Sequence, residues 1–377
     1  MASNNSPVSL SEIQAEFGGS NPISLSEYYR GGGRVTQNNT SVPDSGTISA
    51  SDFRTAERRI IITLTSDQQE IDLLTIANQD PAYESGVPVD LYISADVWVW
   101  SDDTSVPALT VNVPNANIYN YGIIAGRGGD GGHAGLCMND TDSPLRNGKA
   151  GGTALKLTSN ASNCILHHFA GSYIAGGGGG GGGALEFGGG GGGAGGGDGG
   201  YGCRGYPNRG FTSPPGAGGL PRQYGANSLD NNNNTQGRGG AAGGSGSGCN
   251  INSGDDSGSG GGGGGRALPA TTGVNALIPT GARDDFPAGF GGGLLSGSPQ
   301  RGGDYGYYRW DSPNSTGGNG RSILAAGGGG FWGKKGGSSG GNSGYGGAGG
   351  KAIDNESPSF STATAQGNIY GYPAYSS

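Results

Sequence analysis

Acidic residues occur in close pairs at Asp102-Asp103, Asp140/Asp142, Asp255-Asp256 and Asp284-Asp285, and such pairs could gather oxygen ligands around a calcium ion. None has the regular spacing of a calcium loop, so solvated turns are expected at all four. The histidines are His133, His167 and His168. The last two are adjacent, so in a strand they face opposite ways and cannot readily share a metal; packing roles are expected. Cys137, Cys164, Cys203 and Cys249 lie 27, 39 and 46 residues apart without a CxxC pair, which argues against zinc and for free thiols. Gly329-Gly330-Phe331-Trp332-Gly333-Lys334-Lys335 misses the spacing of a phosphate-binding loop. No nucleophile–base order or carboxylate pair can be argued, so neither an enzyme nor a cofactor or metal site is expected.

The aromatic residues carry more. Asp304–Asp311 sets Tyr305, Tyr307, Tyr308 and Trp310 into six positions, and other loop-like stretches add Tyr206, Phe211 and Tyr224. Tyr and Trp among Gly, Ser and Asn give a contact surface of low entropy cost, and their rings also stack on sugars. The competing reading is that these rings only cover the flanks of a glycine-rich body. For binding, Tyr305–Trp310 is the first choice.

Whatever displays those rings must be built largely of glycine. Of 88 glycines, seven precede residue 121; the rest form runs such as Gly176–Gly183, Gly188–Gly193, Gly261–Gly265 and Gly327–Gly330. Hydrophobic residues make up 32%, below the roughly 45–50% usual for globular chains, yet charged residues are only 13%, unlike a typical disordered segment. The net charge is −8 and the basic residues are scattered, which argues against nucleic acid. No apolar run approaches the ~18 residues of a membrane span, and Met1–Phe17 has no basic and apolar leader pattern, so neither membrane insertion nor a signal peptide is expected.

Three segments follow. Residues 1–56 repeat a short Ser-initiated turn at Ser9-Leu10-Ser11-Glu12-Ile13, Ser24-Leu25-Ser26-Glu27-Tyr28 and Ser49-Ala50-Ser51-Asp52-Phe53, a small helical module. Residues 57–120 hold β-branched runs at Arg59–Thr65, Asp90–Ser94, Val97–Trp100 and Leu109–Val113, with a short helix possible at Ile71–Ala77, and read as a small β connector. In 121–377, short strands feed glycine tracts. The expected fold is mixed, mostly β or irregular.

A glycine tract can adopt the extended threefold helix of polyproline-II geometry, which has no internal hydrogen bonds. Its N–H and C=O groups must then find partners on neighbouring tracts. Each net bond contributes about 0.5–1.5 kcal/mol against about 1–2 kcal/mol of ordering per residue, so only a tract bonded on several sides is stable. Gly176–Gly183 and Gly188–Gly193 are the expected inner helices, mixed tracts such as Gly239–Gly248 the outer ones, and the polar or aromatic excursions the end loops. The alternative is a set of disordered linkers.

Ser9–Tyr29, followed by Pro43-Asp44-Ser45-Gly46-Thr47-Ile48-Ser49-Ala50-Ser51-Asp52-Phe53, resembles the N-terminal segment of tailed-phage tail proteins. The glycine-rich remainder resembles the polyglycine sandwich of phage tail-fibre adhesins. The resemblance implies a virion component assembled in the host cytoplasm. Residues 1–56 would dock on other tail or baseplate proteins through Leu10, Ile13, Phe17, Leu25, Tyr28, Tyr29 and Phe53. The glycine domain would recognise a host polysaccharide or outer-membrane protein. Copy number stays open, a homotrimer being one option. The alternatives are a purely structural tail component, a secreted matrix protein and a depolymerase.

Overall fold

The computed structural model describes residues 8–135, 144–185, 188–204, 210–228, 239, 243–244, 249–252, 255–258, 261, 263–266, 268, 294–295, 298–299, 326, 329–339 and 344–371. The first Ser-initiated turn becomes helix α1 (Leu10–Phe17). The Ser9 hydroxyl accepts from the Glu12 N–H at 3.3 Å while the Glu12 carboxylate accepts from the Ser9 N–H at 2.7 Å, a reciprocal cap that fixes the helix start. The chain leaves the helix at Gly18 with φ of 76°, a left-handed angle that favours glycine. The two later copies form single 3-10 turns, Leu25–Tyr28 and Ala50–Phe53, each with its acidic residue reaching back to the capping serine. These turns share a core of their own: Val8, Ile13, Phe17, Tyr28, Val35, Val42, Phe53 and Ala56. Phe53 sits edge-on to both Phe17 and Tyr28, at 6.0 and 6.2 Å between ring centres.

Beyond residue 59 the chain winds into a three-faced parallel solenoid. The first rung comprises β1 (Ile60–Leu64), β2 (Gln68–Gln69) and β3 (Ile71–Asp72), followed by the short helix α2 (Leu73–Ala77). The second comprises β4 (Val89–Ile93), β5 (Trp98–Trp100) and β6 (Leu109–Val111); the third, β7 (Ala116–Asn120), β8 (Ile123–Ala125) and β9 (Leu155–Leu157). The fourth begins with β10 (Cys164–His168) and β11 (Tyr173–Ala175). A long insertion then carries β12 (Gly202–Arg204), β13 (Gly210–Ser213), β14 (Cys249–Asn252) and β15 (Asp255–Gly258), which form an antiparallel sheet, and the ribbon β16 (Leu294–Leu295) with β17 (Ser298–Pro299). The fourth rung closes only with β18 (Ile353–Asn355), and β19 (Phe360–Ala365) with β20 (Asn368–Tyr370) starts a fifth.

Each face is one parallel sheet: β1-β4-β7-β10-β19, β2-β5-β8-β11-β20 and β3-β6-β9-β18. Register stacks like on like. Ile62, Leu91, Ile118 and Leu166 form one inward column, and Ile71, Leu109, Leu155 and Ile353 another. With Val99, Ile124 and Ile174 they build the main core. Asn115 and Asn163 turn one corner with φ of 55° and 54°, and their side chains form a ladder up it, Asn163 to Asn115 and Asn115 to the Gly86 carbonyl.

This pairing corrects the expected organisation. The strands of 57–120 do not form a self-contained connector, because their sheets continue through 155–175 and 353–370. Composition hid the continuity, since the completing strands are three to six residues long and lie between glycine runs.

The glycine tracts leave the solenoid from one corner. Ala125 and Ala175 pair side by side, and Gly126 and Gly176 follow them directly. Donors along the second tract turn through three neighbours in succession. Gly177, Gly180 and Gly183 bond to the carbonyls of Gly152, Lys149 and Arg146; Gly178, Gly181 and Ala184 bond to those of Ala194, Gly191 and Gly188; Gly179 and Gly182 bond to those of Lys334 and Gly337. Its own carbonyls accept in the same rotation. Gly129, Gly132 and Gly135 bond to Gly178, Gly181 and Ala184; Gly330 and Gly333 to Gly179 and Gly176; Gly347 and Gly350 to Gly180 and Gly177. A period of three with no partner inside the tract is the bonding of a threefold extended helix. Tract 176–184 is thus ringed by six others: 127–135, 146–152, 188–194, 329–333, 334–339 and 344–350.

Such packing leaves no room for a side chain. A Cβ on Gly180 would lie 2.0 Å from the Asp130 carbonyl oxygen. One expectation fails at this level: the mixed tract 239–248 is not wholly outside, because Gly244 is buried and bridges Gly192 to Gly329. Among the described residues, no helix is long and apolar enough to cross a membrane.

Candidate functional site

Register gives the lattice two ends. Gly126, Gly152, Gly176 and Gly350 lie next to the solenoid, whereas Gly135, Arg146, Ala184, Gly188, Tyr201 and Gly344 mark the far end, each bonded to a neighbour at the same level. The flanks of 136–143, 186–187 and 340–343 lie at this far end, and β12 starts there, directly after Tyr201. Tracts running in opposite directions are joined at this end, so the described residues flanking those joins share one face. Leu145, Tyr201 and Tyr345 stand exposed on it. Tyr201 packs edge-on against His133 at 5.2 Å, and its backbone N–H donates to His133 Nδ1 at 3.1 Å. Tyr345 is fixed by its N–H to Asn147 Oδ1 at 2.9 Å.

Charged side chains pin the lattice to its base. Arg266 is 3% exposed and lies 4.4 Å above the Trp100 ring. Its guanidinium donates to the carbonyls of Gly195 (2.8 Å), Gly219 (3.2 Å) and Ser101 (2.8 Å). Burial pushes it down to about 10, so it remains a cation at neutral pH. Arg222 pairs with Asp67 and the Asp96 carbonyl, and Arg127 reaches the Asp102 carbonyl. Asp130 holds three tracts together, accepting from Arg127 (3.0 Å), Lys149 (3.2 Å) and the Asp198 N–H (3.1 Å). Burial opposes its charge, but the arginine and these donors keep its carboxyl below the usual range. Trp98, Phe331 and Trp332 fill the space between solenoid and lattice. Phe331 and Trp332 are thus packing residues.

A serine–histidine pair occurs at Ser172 and His168, with Oγ 2.7 Å from Nδ1. Both residues are fully buried, so the pair meets no substrate. Nε2–H donates to the Asn368 carbonyl at 3.2 Å, leaving Nδ1 to accept from Ser172 and from the Asn120 amide. The ring is neutral, and burial holds its pKa below the ordinary histidine value; burial does the same for His133. A folded pKa below the unfolded ~6.5 means that the unfolded chain takes up protons first. We therefore expect thermal stability to be level above pH ~6.5 and to fall as pH drops below it. His168→Gln should flatten that slope. Melting curves between pH 8 and 5 check this, and a midpoint indifferent to pH contradicts it. His167 faces outward, stacked on Tyr119 at 4.5 Å, which stacks on Tyr92 at 4.4 Å.

The aromatic candidates scatter. Tyr305, Tyr307, Tyr308, Trp310 and Tyr206 lie outside the described residues. Phe211 is on β13, in the sheet that follows the far end. Tyr224 is exposed on an outer tract, two residues from Arg222, which is anchored to the solenoid, so it stands away from that end. Of the docking candidates, Ile13, Phe17, Tyr28 and Phe53 are fully buried and offer no contact surface, whereas Leu10, Leu25 and Tyr29 reach the module's surface. Sequence reasoning missed Arg266, whose signal was a lone cation closing the Gly261–Gly265 run.

Residues 59–259 match the family described as phage tail fibre adhesin Gp38, so the chain belongs to that family. It is a receptor-binding adhesin of a phage tail fibre, a component of the virion tail. The match starts at the first rung of the solenoid and excludes the N-terminal module. No curated protein matches. A solved structure, the gp37-gp38 adhesin tip complex of the bacteriophage S16 long tail fiber, shows 20% identity over 96% of this chain and 96% of that one, with a TM-score of 0.42.

Proposed function

We propose that the far end of the glycine lattice is the recognition face and that residues 1–56 dock the protein on the tail. The observation that carries the first reading is the gathering of the exposed Leu145, Tyr201 and Tyr345 at one end of a body locked by backbone hydrogen bonds. A polyglycine-II lattice stiffens that platform, so little loop entropy is lost on binding. The ligand is a molecule of the host surface, a polysaccharide or an outer-membrane protein, and Tyr305–Trp310 remains the sequence's first choice of aromatic contact with it. Docking is supported by the separate core of the N-terminal module and by the exposure of Leu10 on it. The central tract finds its bonding partners within one chain, so the lattice itself needs no second copy.

The double substitution Tyr201→Ser and Tyr345→Ser should lower adsorption of particles, or of purified protein, to host cells about tenfold or more, with the melting midpoint unchanged. Unchanged adsorption would move the site away from these rings.

A further inference from the structure

A cleft of about 660 Å3 opens on the solenoid, between α2 with the loop after it and the turns that follow β6 and β9. Its size falls within the roughly 300–1,000 Å3 typical of small-molecule sites. Leu74 and Tyr83 contribute apolar lining and pack partly against the main core. Asn78, Ser85, Ser159 and Asn160 line it as exposed residues. Among the described residues, no hydrogen bond engages these four side chains or the Tyr83 hydroxyl. The corner asparagines Asn112, Asn115 and Asn163 are instead all tied into the fold. Glu84 is the one acidic residue of the lining, and it is paired with Arg58.

We propose that this cleft binds a neutral saccharide, as a second site separate from the far end of the lattice. An aromatic and aliphatic lining suits the C–H face of a pyranose, and unengaged amides and hydroxyls suit its ring hydroxyls. The pairing of Glu84 with Arg58 leaves no net charge to attract an anion or a cation. Burial raises the Tyr83 pKa, so its hydroxyl stays protonated and can donate.

The test uses the full chain and saturation-transfer NMR with lactose, maltose and chitobiose, with sialyllactose as the anionic comparison. At least one neutral disaccharide should show transfer and sialyllactose little. Asn78→Ala combined with Asn160→Ala should weaken that binding about tenfold without changing the circular dichroism, as the loss of two hydrogen bonds implies. Tyr83→Phe should weaken it less, since the ring remains. No transfer from any neutral disaccharide, or transfer unaffected by the double substitution, overturns the proposal. Either result leaves the far-end reading intact, because that reading is judged by adsorption of the Tyr201 and Tyr345 variant.

Discussion

Replacing Gly180 by alanine should destabilise the lattice by about 3–5 kcal/mol, one of the two largest effects expected of a single substitution here. The new methyl would meet the Asp130 carbonyl oxygen at 2.0 Å and its carbon at 2.4 Å. Backbone atoms cannot rotate away as a side chain can. Moving Asp130 would strain the Gly129–Gly178 and Gly132–Gly181 bonds on either side of it, and with them the Lys149 bond that Asp130 itself accepts. Each of these contributes about 0.5–1.5 kcal/mol, and the strain of overpacking adds about 1–3 kcal/mol, which together reach that total. Gly33→Ala is the control, because a Cβ there meets nothing within 4 Å. Thermal melts should separate the two variants widely; equal midpoints would mean that the tracts are not packed backbone to backbone.

Arg266→Ala should cost about as much, on the order of 3–5 kcal/mol, for a different reason. The substitution strands two buried carbonyls, those of Ser101 and Gly219, takes from the Gly195 carbonyl one of its two donors (the Gly128 N–H remains), and removes the cation above Trp100. Each buried acceptor without a partner costs about 1–3 kcal/mol. Arg266→Lys should recover little, because an ammonium group cannot span three carbonyls in a plane as a guanidinium does. Exchange at Gly195 and Gly219 should accelerate in both variants while the columns around Leu91 and Leu109 stay protected. A lysine variant as stable as the parent would contradict the clamp.

How far the sequence foretold this molecule varied with the type of signal. The capped turns at Ser9, Ser24 and Ser49 were legible because a serine and an acidic residue three positions on form a local device. The strand-to-tract pattern at Ile123–Gly126 and Tyr173–Gly176 was legible too, since glycine directly after a short run with strand propensity marks an abrupt change of backbone. The solenoid was not. Its partners lie far apart, Leu166 beside Ile118 and Ile353 beside Leu155, and no local period links them across a 177-residue insertion from Gly176 to Ala352. The site is less legible: Tyr224 lies on an outer tract near the solenoid, away from the end we propose for recognition, and which end a tract presents follows only from bonding register. Apolarity alone marks Ile13 and Phe17 as contacts, but a module this small needs its few large side chains for its own core.

Hydrogen exchange of the intact protein, resolved over 176–184, tests the bonded lattice most directly. The six surrounding tracts predict protection comparable to that of the solenoid strands β4 and β7, highest near Gly180 and falling toward Ala184. Exchange throughout this tract at the rate of a free peptide would contradict the account, because a glycine run without neighbours cannot hold the far end in place.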